Sequence, residues 1–323
     1  MHYKIAVIGN AFDENHVAKI EAAAAKHGCQ VVYHTDNASA IPHMADVDIV
    51  FGPSDGLSPE IVKAAPNLKW FASYYAGVDP LIKSGCLQAD TLLTNGSGAY
   101  GVTIAEHMVM VTLMLMRRYP EYYAFVQNKD FRSDLMIGSI YGANIVICGT
   151  GDISSTFAKR LKAFCPAKIT GVNRSGRMVE GFDEVITMDK LDSVLPDADL
   201  VAMALPGPQE TNHFLSRERI ALMKKSAFLI NVGRGNAIDQ DALIDALEEE
   251  KIAGAALDVF RTEPIHETDP AWNTKNLLVT PHCSGKMTMA YTRNTLVDTF
   301  CENLVRFHEG TPMLHLVNKD LGY

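Results

Sequence analysis

Positive charge and long apolar runs are both scarce in this 323-residue chain. Lys and Arg together number 29 against 38 Asp and Glu, so the formal net charge is -9. Nucleic-acid-binding proteins cluster basic residues on one surface, and this balance argues against that class. The most apolar helical stretch, residues 102–116, contains Glu106 and His107 and is shorter than the roughly 20 residues that span a bilayer. We expect neither a nucleic acid nor a membrane as a partner.

Cysteine pairs are also missing, although six cysteines are present. They lie at positions 29, 86, 148, 165, 283 and 301, with no C-x-x-C pair and no regular spacing. This pattern is typical of thiols in a reducing cytosol and of neither a disulfide framework nor a metal site. The chain also begins with a strand pattern, "MHYKIAVIGN", and not with a leader-like one. We therefore expect a cytoplasmic protein without a bound metal. Cys283 is expected to be a small buried residue, with a reactive thiol as the alternative.

Short apolar runs alternate with helical patterns along most of the chain. The first unit has four such runs, "KIAVIGN", "CQVVYHT", "VDIVFG" and "LKWFASYYAG", with a helix predicted over residues 14–27. The rhythm restarts at residue 143 and gives six further runs up to "LLVTPHC". Nearly all-apolar strands that alternate with helices predict parallel sheets covered on both faces. The fold class is therefore α/β, with two Rossmann-like or flavodoxin-like domains.

The order of these patterns predicts that one domain is discontinuous. A long helix that begins near Thr103 joins the two units, and a final helix is predicted over residues 287–308. The second unit already has its own strands, so the last helix is expected to pack on the first unit. The expected boundaries are residues 1–101 with 287–323 for one domain and 102–286 for the other.

A glycine-rich turn follows the first strand of the second unit. The segment "IVICGTGDISSTFAKRL", residues 145–161, has Gly149 and Gly151 in the first two positions of a G-x-G-x-x-G fingerprint, and Ser154 in the third. In such loops the first glycine permits the tight turn, and the second lets the backbone approach a pyrophosphate. The phosphates then lie at the positive end of the following helix. Serine is small enough to replace the packing glycine, so the segment indicates a dinucleotide site.

The end of the next strand discriminates between the two nicotinamide cofactors. An NAD site usually places Asp or Glu there, to bind the ribose hydroxyls. Here the residues are Asn173, Arg174 and Ser175, and Arg177 follows. A carboxylate would repel a 2′-phosphate, whereas a guanidinium and a hydroxyl would bind it. We expect NADP(H) to be preferred, with NAD(H) possible.

Three later strand ends carry residues suited to acid–base chemistry. "LINVGRGNAID" places Arg234 between two glycines, "ALDVFRTEPI" contains Asp258 and Glu263, and "LLVTPHCSG" contains His282. Each residue taken alone has an ordinary structural interpretation. In an open parallel sheet, however, the carboxyl ends of the strands face the ligand crevice, so these side chains are expected at one edge.

Taken together, these motifs make the chain similar to the D-isomer-specific 2-hydroxyacid dehydrogenase family. The resemblance covers essentially the whole chain and rests on the G-x-G loop, "NVGRG", "DVFxxEP" and "PHxxG". It implies a Rossmann-type cofactor domain inserted into a flavodoxin-like substrate domain, with catalysis in the cleft between them. It also implies a homodimer built around the inserted domain, including the segment after Arg118.

The resemblance also assigns roles to single residues. It implies that Arg234 binds the carboxylate and carbonyl oxygen of a 2-oxo acid, that His282 is the general acid/base, and that Glu263 stabilises the protonated histidine. Asp258 matches the position that binds the nicotinamide carboxamide. The cofactor-binding positions are Thr103, Gly149, Gly151, Asp152, Ile153, Asn173, Arg174, Ser175, Pro206, Thr211, Val232, Asp258 and Gly285. The substrate-binding positions are Tyr74, Ala76, Gly77, Val78, Arg234 and His282.

The stretch before the carboxylate-binding loop bears on the substrate. Ser73, Tyr74 and Tyr75 carry no positive charge, whereas a phosphorylated substrate would need basic partners there. We expect reduction of an unphosphorylated 2-oxo acid to the D-2-hydroxy acid, with Tyr74 or Tyr75 against its side chain. Three other functions share part of this pattern. Formate dehydrogenase is disfavoured, because that family pairs its histidine with glutamine whereas this chain has Glu263. A phosphoglycerate dehydrogenase-like enzyme and a non-catalytic, nucleotide-sensing corepressor-like protein stay open.

Overall fold

Both sheets of the structure are parallel, and each belongs to its own compact unit. A computed structural model describes residues 2–207 and 211–322. The chain divides into Met1–Tyr100 with Lys286–Tyr323, and Gly101–Gly285. The expectation of two parallel-sheet α/β domains is confirmed.

The first unit contains five parallel strands in the order β2-β1-β3-β4-β5, the flavodoxin-like order. Its strands are β1 (Lys4–Ile8), β2 (Gln30–His34), β3 (Ile49–Gly52), β4 (Trp70–Ser73) and β5 (Leu92–Thr94). Its helices are α1 (Glu14–Lys26), α2 (Asn37–Ala40), α3 (Ser58–Ala64), α4 (Asp79–Ser84) and, from the end of the chain, α10 (Ala290–Glu309). β3 and β4 are buried at every position, as strands covered on both faces must be.

Aromatic packing explains why α10 belongs with the first unit. The ring of Phe300 on α10 stacks on Phe51 of β3 with centroids 4.2 Å apart, and on Trp70 of β4 at 5.2 Å. All three side chains are almost completely buried. Large aromatic side chains contribute much of the apolar area that a core buries, so this cluster fixes the helix on the sheet.

The second unit contains seven parallel strands in the order β12-β11-β10-β9-β6-β7-β8. Its strands are β6 (Asn144–Cys148), β7 (Lys168–Asn173), β8 (Glu184–Thr187), β9 (Leu200–Met203), β10 (Phe228–Asn231), β11 (Gly254–Leu257) and β12 (Leu277–Val279). Its helices are α5 (Gly101–Met116), α6 (Tyr119–Gln127), α7 (Asp152–Leu161), α8 (Arg217–Ala221) and α9 (Gln240–Glu248). The strand order reverses between β9 and β6, and such a switch point is where ligands bind in open α/β sheets.

Two strands were missed in the sequence. The prediction of six strands in the second unit is wrong by one, because the structure has a seventh strand, β8, which pairs with β7 at the edge of the sheet. Its four residues are all only half-buried, so the apolar run that marks an internal strand is absent. The first unit has β5 in addition to the four expected strands, and β5 is only three residues long.

The longest apolar helix and the cysteines can be compared with their expected states. Within residues 2–207 and 211–322, no helix has the length and apolarity needed to cross a membrane. α5 buries one face, which includes Ile104, Met108 and Leu115, while Met110 is exposed. All six cysteines are thiols. The expectation that Cys283 is buried is wrong, because its side chain is exposed in the turn after β12.

Candidate active site

The turn between β6 and α7 is built by its two glycines. Gly149 has φ +93°, a left-handed conformation that favours glycine, and an added Cβ would lie 2.9 Å from the Ala204 carbonyl oxygen. A Cβ on Gly151, in contrast, would meet nothing within 4 Å. The first glycine is therefore required by the protein itself. The second leaves open space above the start of α7.

The start of α7 presents backbone donors at this turn. Gly151 is the N-cap residue, and no side chain caps the helix. The first N–H groups of a helix have no partner within the helix, and they carry partial positive charge. Asp152 and Ile153 form the first turn, whereas Ser154 is buried, with its hydroxyl unpartnered among the described residues. Ser154 therefore occupies the packing position of the third fingerprint glycine.

The carboxyl end of β7 is organised by a side-chain amide. Asn173 Nδ2 donates to Thr150 Oγ1 at 2.9 Å and to the Arg177 carbonyl at 3.0 Å, while its Oδ1 accepts the Gly176 N–H at 2.7 Å. The same oxygen accepts the Ser175 N–H at 3.1 Å. Asn173 thus ties residues 173–177 to the glycine turn. Arg174, Ser175 and Arg177 are exposed around it.

The two glycines beside Arg234 are explained by close backbone packing. A Cβ on Gly233 would lie 2.6 Å from the Leu205 carbonyl oxygen, and a Cβ on Gly235 would lie 1.9 Å from the carbonyl carbon of Phe260. The loops after β9 and β11 therefore press against the loop that carries Arg234. Asn231 Nδ2 donates to the Arg234 carbonyl at 2.9 Å and holds this loop from below. The two glycines therefore let three strand ends meet.

His282 and Glu263 form a direct pair. Nδ1 of the imidazole lies 2.6 Å from Oε2 of Glu263, and Oε1 of the same carboxylate accepts the Phe260 N–H at 2.8 Å. Burial raises the pKa of Glu263, but hydrogen bonds from His282 and the Phe260 amide outweigh it and hold the pKa below its ordinary value. The ionised carboxylate can only accept, so Nδ1 carries the proton and Nε2 is the ring nitrogen that Glu263 does not bind. The His282 side chain is 57% exposed, so it is accessible.

Asp258 supports the turn that carries His282. It is 2% exposed, and its Oδ1 accepts from Thr280 Oγ1 at 2.6 Å and from the Cys283 N–H at 2.9 Å. Its Oδ2 accepts the Ser284 N–H at 3.1 Å and the Ser284 hydroxyl, and its carbonyl accepts the His282 N–H at 2.9 Å. A carboxylate has about four lone-pair directions, and the contacts made by Oδ1 and Oδ2 occupy all of them. In the structure Asp258 is thus a support for the histidine turn.

Sequence reasoning did not assign a role to His107, which contacts this network. Its Nε2 lies 3.4 Å from Thr280 Oγ1, the same hydroxyl that donates to Asp258. Burial lowers the pKa of His107, although the Asp258 carboxylate acts in the opposite direction. The only signal in the sequence was the position of His107 on an apolar helix, four residues after Thr103, where it is one turn further along α5.

The remaining cofactor positions lie along the carboxyl edge of the second sheet or beside it. Thr211 Oγ1 donates to the Pro206 carbonyl at 2.8 Å, which closes the loop after β9; residues 208–210 of that loop lie outside the described residues. Val232 is buried directly after β10, and Gly285 follows the histidine turn. Thr103 lies in the first turn of α5, whose Gly101 contacts Asp152: a Cβ on Gly101 would lie within 2.7 Å of that carboxyl group.

The first unit holds the loop expected to receive a substrate carboxylate. Three successive carbonyls of this loop accept hydrogen bonds from the unit itself: Tyr75 from the Gly96 N–H at 2.9 Å, Ala76 from Asn95 Nδ2 at 2.9 Å, and Gly77 from Ser54 Oγ at 2.8 Å. The N–H groups of Ala76, Gly77 and Val78 donate to no group in the described part of the chain. A run of backbone N–H groups left in this way can bind an anion.

The expectation that the Tyr74 ring contacts substrate is wrong. The side chain is 3% exposed and packs edge-on against Phe51 and Phe12, with centroids 4.6 Å and 5.1 Å away. Burial in such an aromatic cluster stabilises the fold, so the ring of Tyr74 belongs to the core of the first unit. Tyr75, the next residue, is 40% exposed and stays available.

Comparison with known proteins identifies the family. The model of the "D-isomer specific 2-hydroxyacid dehydrogenase, NAD binding domain" matches residues 109–284, more than half of the chain. The chain belongs to this family. As a member of the D-isomer-specific 2-hydroxyacid dehydrogenases, it is an NAD(P)-dependent oxidoreductase with a Rossmann domain.

Relatives of known structure and sequence agree with this family. A D-isomer-specific 2-hydroxyacid dehydrogenase family protein from Aeromonas salmonicida is 30% identical, with a TM-score of 0.86 over 98% of this chain and 99% of that one. An NADPH-dependent glyoxylate/hydroxypyruvate reductase from Sinorhizobium meliloti is 26% identical, with a TM-score of 0.82 over 99% and 100%. A glyoxylate reductase from Korarchaeum cryptofilum is 30% identical over 83% of this chain and 81% of its own.

Proposed function

We propose that this dehydrogenase reduces an unphosphorylated 2-oxo acid to the D-2-hydroxy acid with NADPH. The observation that carries the proposal is the pair formed by His282 and Glu263, with 2.6 Å between Nδ1 and Oε2 and an exposed imidazole. A histidine oriented by an ionised carboxylate is suited to give and take a proton near neutral pH.

The residues at the switch point fit a dinucleotide. Open space lies above Gly151, α7 begins without a side-chain cap, and the 173–177 loop is ordered around Asn173. The backbone donors at the start of α7 would hold the pyrophosphate. The other positions that would contact the cofactor are Thr103, Pro206, Thr211, Val232 and Gly285, whereas Asp258 would act through the histidine turn that it supports. When bound, the nicotinamide supplies a hydride equivalent.

The side chains of the second unit then manage the proton and the charge. His282 donates a proton from Nε2 to the carbonyl oxygen of the 2-oxo acid. Before this transfer, Glu263 stabilises the cationic imidazole ring. The planar guanidinium of Arg234 binds the carboxylate and the carbonyl oxygen, which lie in one plane in a 2-oxo acid. In the reverse direction the neutral histidine accepts the hydroxyl proton.

The preference for NADPH rests on charge at the end of β7. Asn173 stands where an NAD site usually carries a carboxylate, and its amide is bonded to Thr150 and to its own loop. Arg174, Ser175 and Arg177 present two guanidinium groups and a hydroxyl at the surface. These groups would bind the 2′-phosphate, since guanidinium–phosphate pairs are among the stronger hydrogen bonds. The Sinorhizobium meliloti reductase described above is itself NADPH-dependent.

The substrate class follows from the loop of the first unit. The N–H groups of Ala76, Gly77 and Val78 would receive the substrate carboxylate. Residues 53–57 and 73–79 contain no Lys or Arg, so a phosphate on the substrate would find no cation there. Small 2-oxo acids such as glyoxylate, the substrate in the name of the Korarchaeum cryptofilum relative, are the class we favour.

We further propose that the protein is a homodimer through the segment after Arg118. Phe131 is 103% exposed and Met136 is 87% exposed, and Tyr123 and Tyr141 of the same sequence segment are exposed as well. Several large apolar side chains exposed in one segment are typical of a protein–protein contact. Light scattering should give twice the monomer mass, and Phe131→Asp with Met136→Asp should give the monomer.

The experiment that tests the function is a panel of 2-oxo acids with each cofactor. We expect oxidation of NADPH with glyoxylate, pyruvate, hydroxypyruvate, 2-oxoisocaproate or phenylpyruvate, and less with NADH. His282→Ala should lose more than ~100-fold in turnover while NADPH affinity is retained. His266→Ala, an exposed histidine in a turn of the same unit, is the matched control and should keep its rate. Near-normal turnover in His282→Ala would contradict the proposal.

A further inference from the structure

Two buried serines lie behind the loop that is expected to bind the substrate carboxylate. Ser54 follows β3 and Ser73 ends β4, and each residue is 4% exposed. Their hydroxyl oxygens are 2.7 Å apart. Ser54 Oγ in turn lies 2.8 Å from the Gly77 carbonyl.

The protons of this pair can be assigned by counting donors. A serine hydroxyl donates one hydrogen bond, and the Gly77 carbonyl can only accept, so Ser54 donates to Gly77. Ser54 Oγ is then the acceptor for Ser73, because two hydroxyl oxygens 2.7 Å apart need a proton between them; the longer 3.0 Å contact of Ser73 Oγ is with the Tyr75 carbonyl, which also accepts the Gly96 N–H. Ser73 Oγ also accepts the Tyr75 N–H at 3.0 Å. The hydrogen bonds therefore run in one direction, from Ser73 through Ser54 to Gly77.

This chain determines which way the peptide units of the loop face. A peptide unit points its N–H and its C=O in opposite directions, so a carbonyl held towards the sheet turns the next N–H away from it. The Gly77 carbonyl held by Ser54 orients the Val78 N–H, and the Ala76 carbonyl held by Asn95 orients the Gly77 N–H. Without Ser54 the Gly77–Val78 peptide has no described side-chain partner.

We propose that Ser54 and Ser73 are positioning residues for substrate binding, which keep the backbone N–H groups of residues 76–78 set for a carboxylate. The inference rests on the proposed function, because it concerns the affinity of the 2-oxo acid. Neither serine touches the reacting atoms. Because no Lys or Arg lies in residues 53–57 or 73–79, an anion bound there depends on the partial positive charge of oriented N–H groups.

The test compares Ser54→Ala, Ser54→Thr and Ser73→Ala with the wild type. The readouts are the KM for glyoxylate, the inhibition constant of oxamate as an unreactive carboxylate analogue, and the NADPH dissociation constant by fluorescence. Loss of one buried hydrogen bond should raise the KM and the oxamate constant about 5- to 30-fold in Ser54→Ala, with NADPH affinity unchanged. Ser54→Thr keeps a hydroxyl and should recover most of the affinity, and Ser73→Ala should show a smaller rise.

Ser58→Ala is the matched control. Ser58 is fully buried in the same connection, and its hydroxyl donates to the Pro53 carbonyl at 2.6 Å, so its loss removes a comparable hydrogen bond that does not reach the loop. We expect an unchanged KM in Ser58→Ala.

The outcomes separate this inference from the function on which it rests. Wild-type turnover with an unchanged KM in Ser54→Ala, or an equal rise in Ser58→Ala, overturns the inference alone. A wild type that reduces no 2-oxo acid and binds no oxamate overturns the proposed function, and the inference with it. If Ser54→Ala does not fold, an unchanged KM in Ser73→Ala overturns the inference.

Discussion

Glu263 links the backbone of one strand end to the histidine of the next. Its Oε1 accepts the Phe260 N–H after β11 at 2.8 Å, and its Oε2 lies 2.6 Å from Nδ1 of His282 after β12. The carboxylate is thus fixed on one side and orients the ring on the other. Nε2 of the exposed imidazole is then the ring nitrogen that the carboxylate does not bind.

Removal of the charge on Glu263 should slow the reaction. Glu263→Gln keeps a hydrogen-bond acceptor beside Nδ1 but no longer stabilises the cationic ring. We expect kcat/KM for reduction to fall ~10-fold or more, because the positioned histidine loses the anion that supports it as a general acid. Glu267→Gln, an exposed position nearby, is the control. A kcat/KM equal to that of the wild type in Glu263→Gln would contradict this role of the carboxylate.

The same carboxylate should contribute to stability in a pH-dependent way. The pKa of Glu263 in the folded protein is below its ordinary value of 4.5, because its hydrogen bonds outweigh the effect of burial. The contribution of Glu263 to the free energy of unfolding is therefore fully present above pH 4.5, and it is lost as the pH falls through the lower pKa of the folded state. Urea unfolding at about pH 7 and about pH 3 should show a smaller stability advantage of wild type over Glu263→Gln at the lower pH. An equal difference at both values would be inconsistent with this account.

Arg174 should determine the choice of cofactor. Arg174→Ala removes one guanidinium from the end of β7, and a charged hydrogen bond to phosphate is expected to be lost. We expect the NADPH dissociation constant to rise about 10- to 100-fold while the NADH constant is unchanged. Arg217→Ala, an exposed arginine of the same unit that pairs with Asp245, is the control. Equal weakening of both cofactors would place Arg174 outside the phosphate contact.

The packing at Gly235 should make any side chain there costly. An alanine Cβ would lie 1.9 Å from the carbonyl carbon of Phe260, a backbone atom that cannot rotate away. We expect Gly235→Ala to lose about 1–3 kcal/mol or more of unfolding free energy, and activity to fall because Arg234 is the neighbouring residue. Gly56→Ala, where a Cβ would meet nothing within 4 Å, is the control and should be close to wild type in thermal unfolding. A Gly235→Ala protein of wild-type stability would mean that the loop can shift.

Most of the fold could be predicted because internal parallel strands have a strong signature. β9 and β10 are buried along their whole length and read as unbroken apolar runs. β8 is an edge strand with Glu184 and Thr187 at its ends, so its sequence resembles a loop. The register of the sheet, and not local composition, makes those residues a strand.

The candidate site could be predicted where the residue type itself indicates the chemistry. It could be predicted less well where the environment of a side chain is set by residues distant in the sequence. His282, Glu263 and Arg234 were found from their positions after strands. The burial of Tyr74 depends on Phe12 and Phe51, which are distant in sequence. The exposure of Cys283 depends on its N–H being bonded to Asp258, which directs the turn and cannot be read from the cysteine.

The contacts of Asp258 also bear on how the histidine turn moves. Three consecutive amides, those of His282, Cys283 and Ser284, donate to this one residue, to its carbonyl and to each of its carboxylate oxygens. The amide hydrogens of an exposed turn normally exchange quickly with solvent, because such a turn opens locally at a small cost in free energy. Here exchange of these three hydrogens requires release from the buried end of β11, so the turn that carries the acid–base group should exchange with the kinetics of the central sheet.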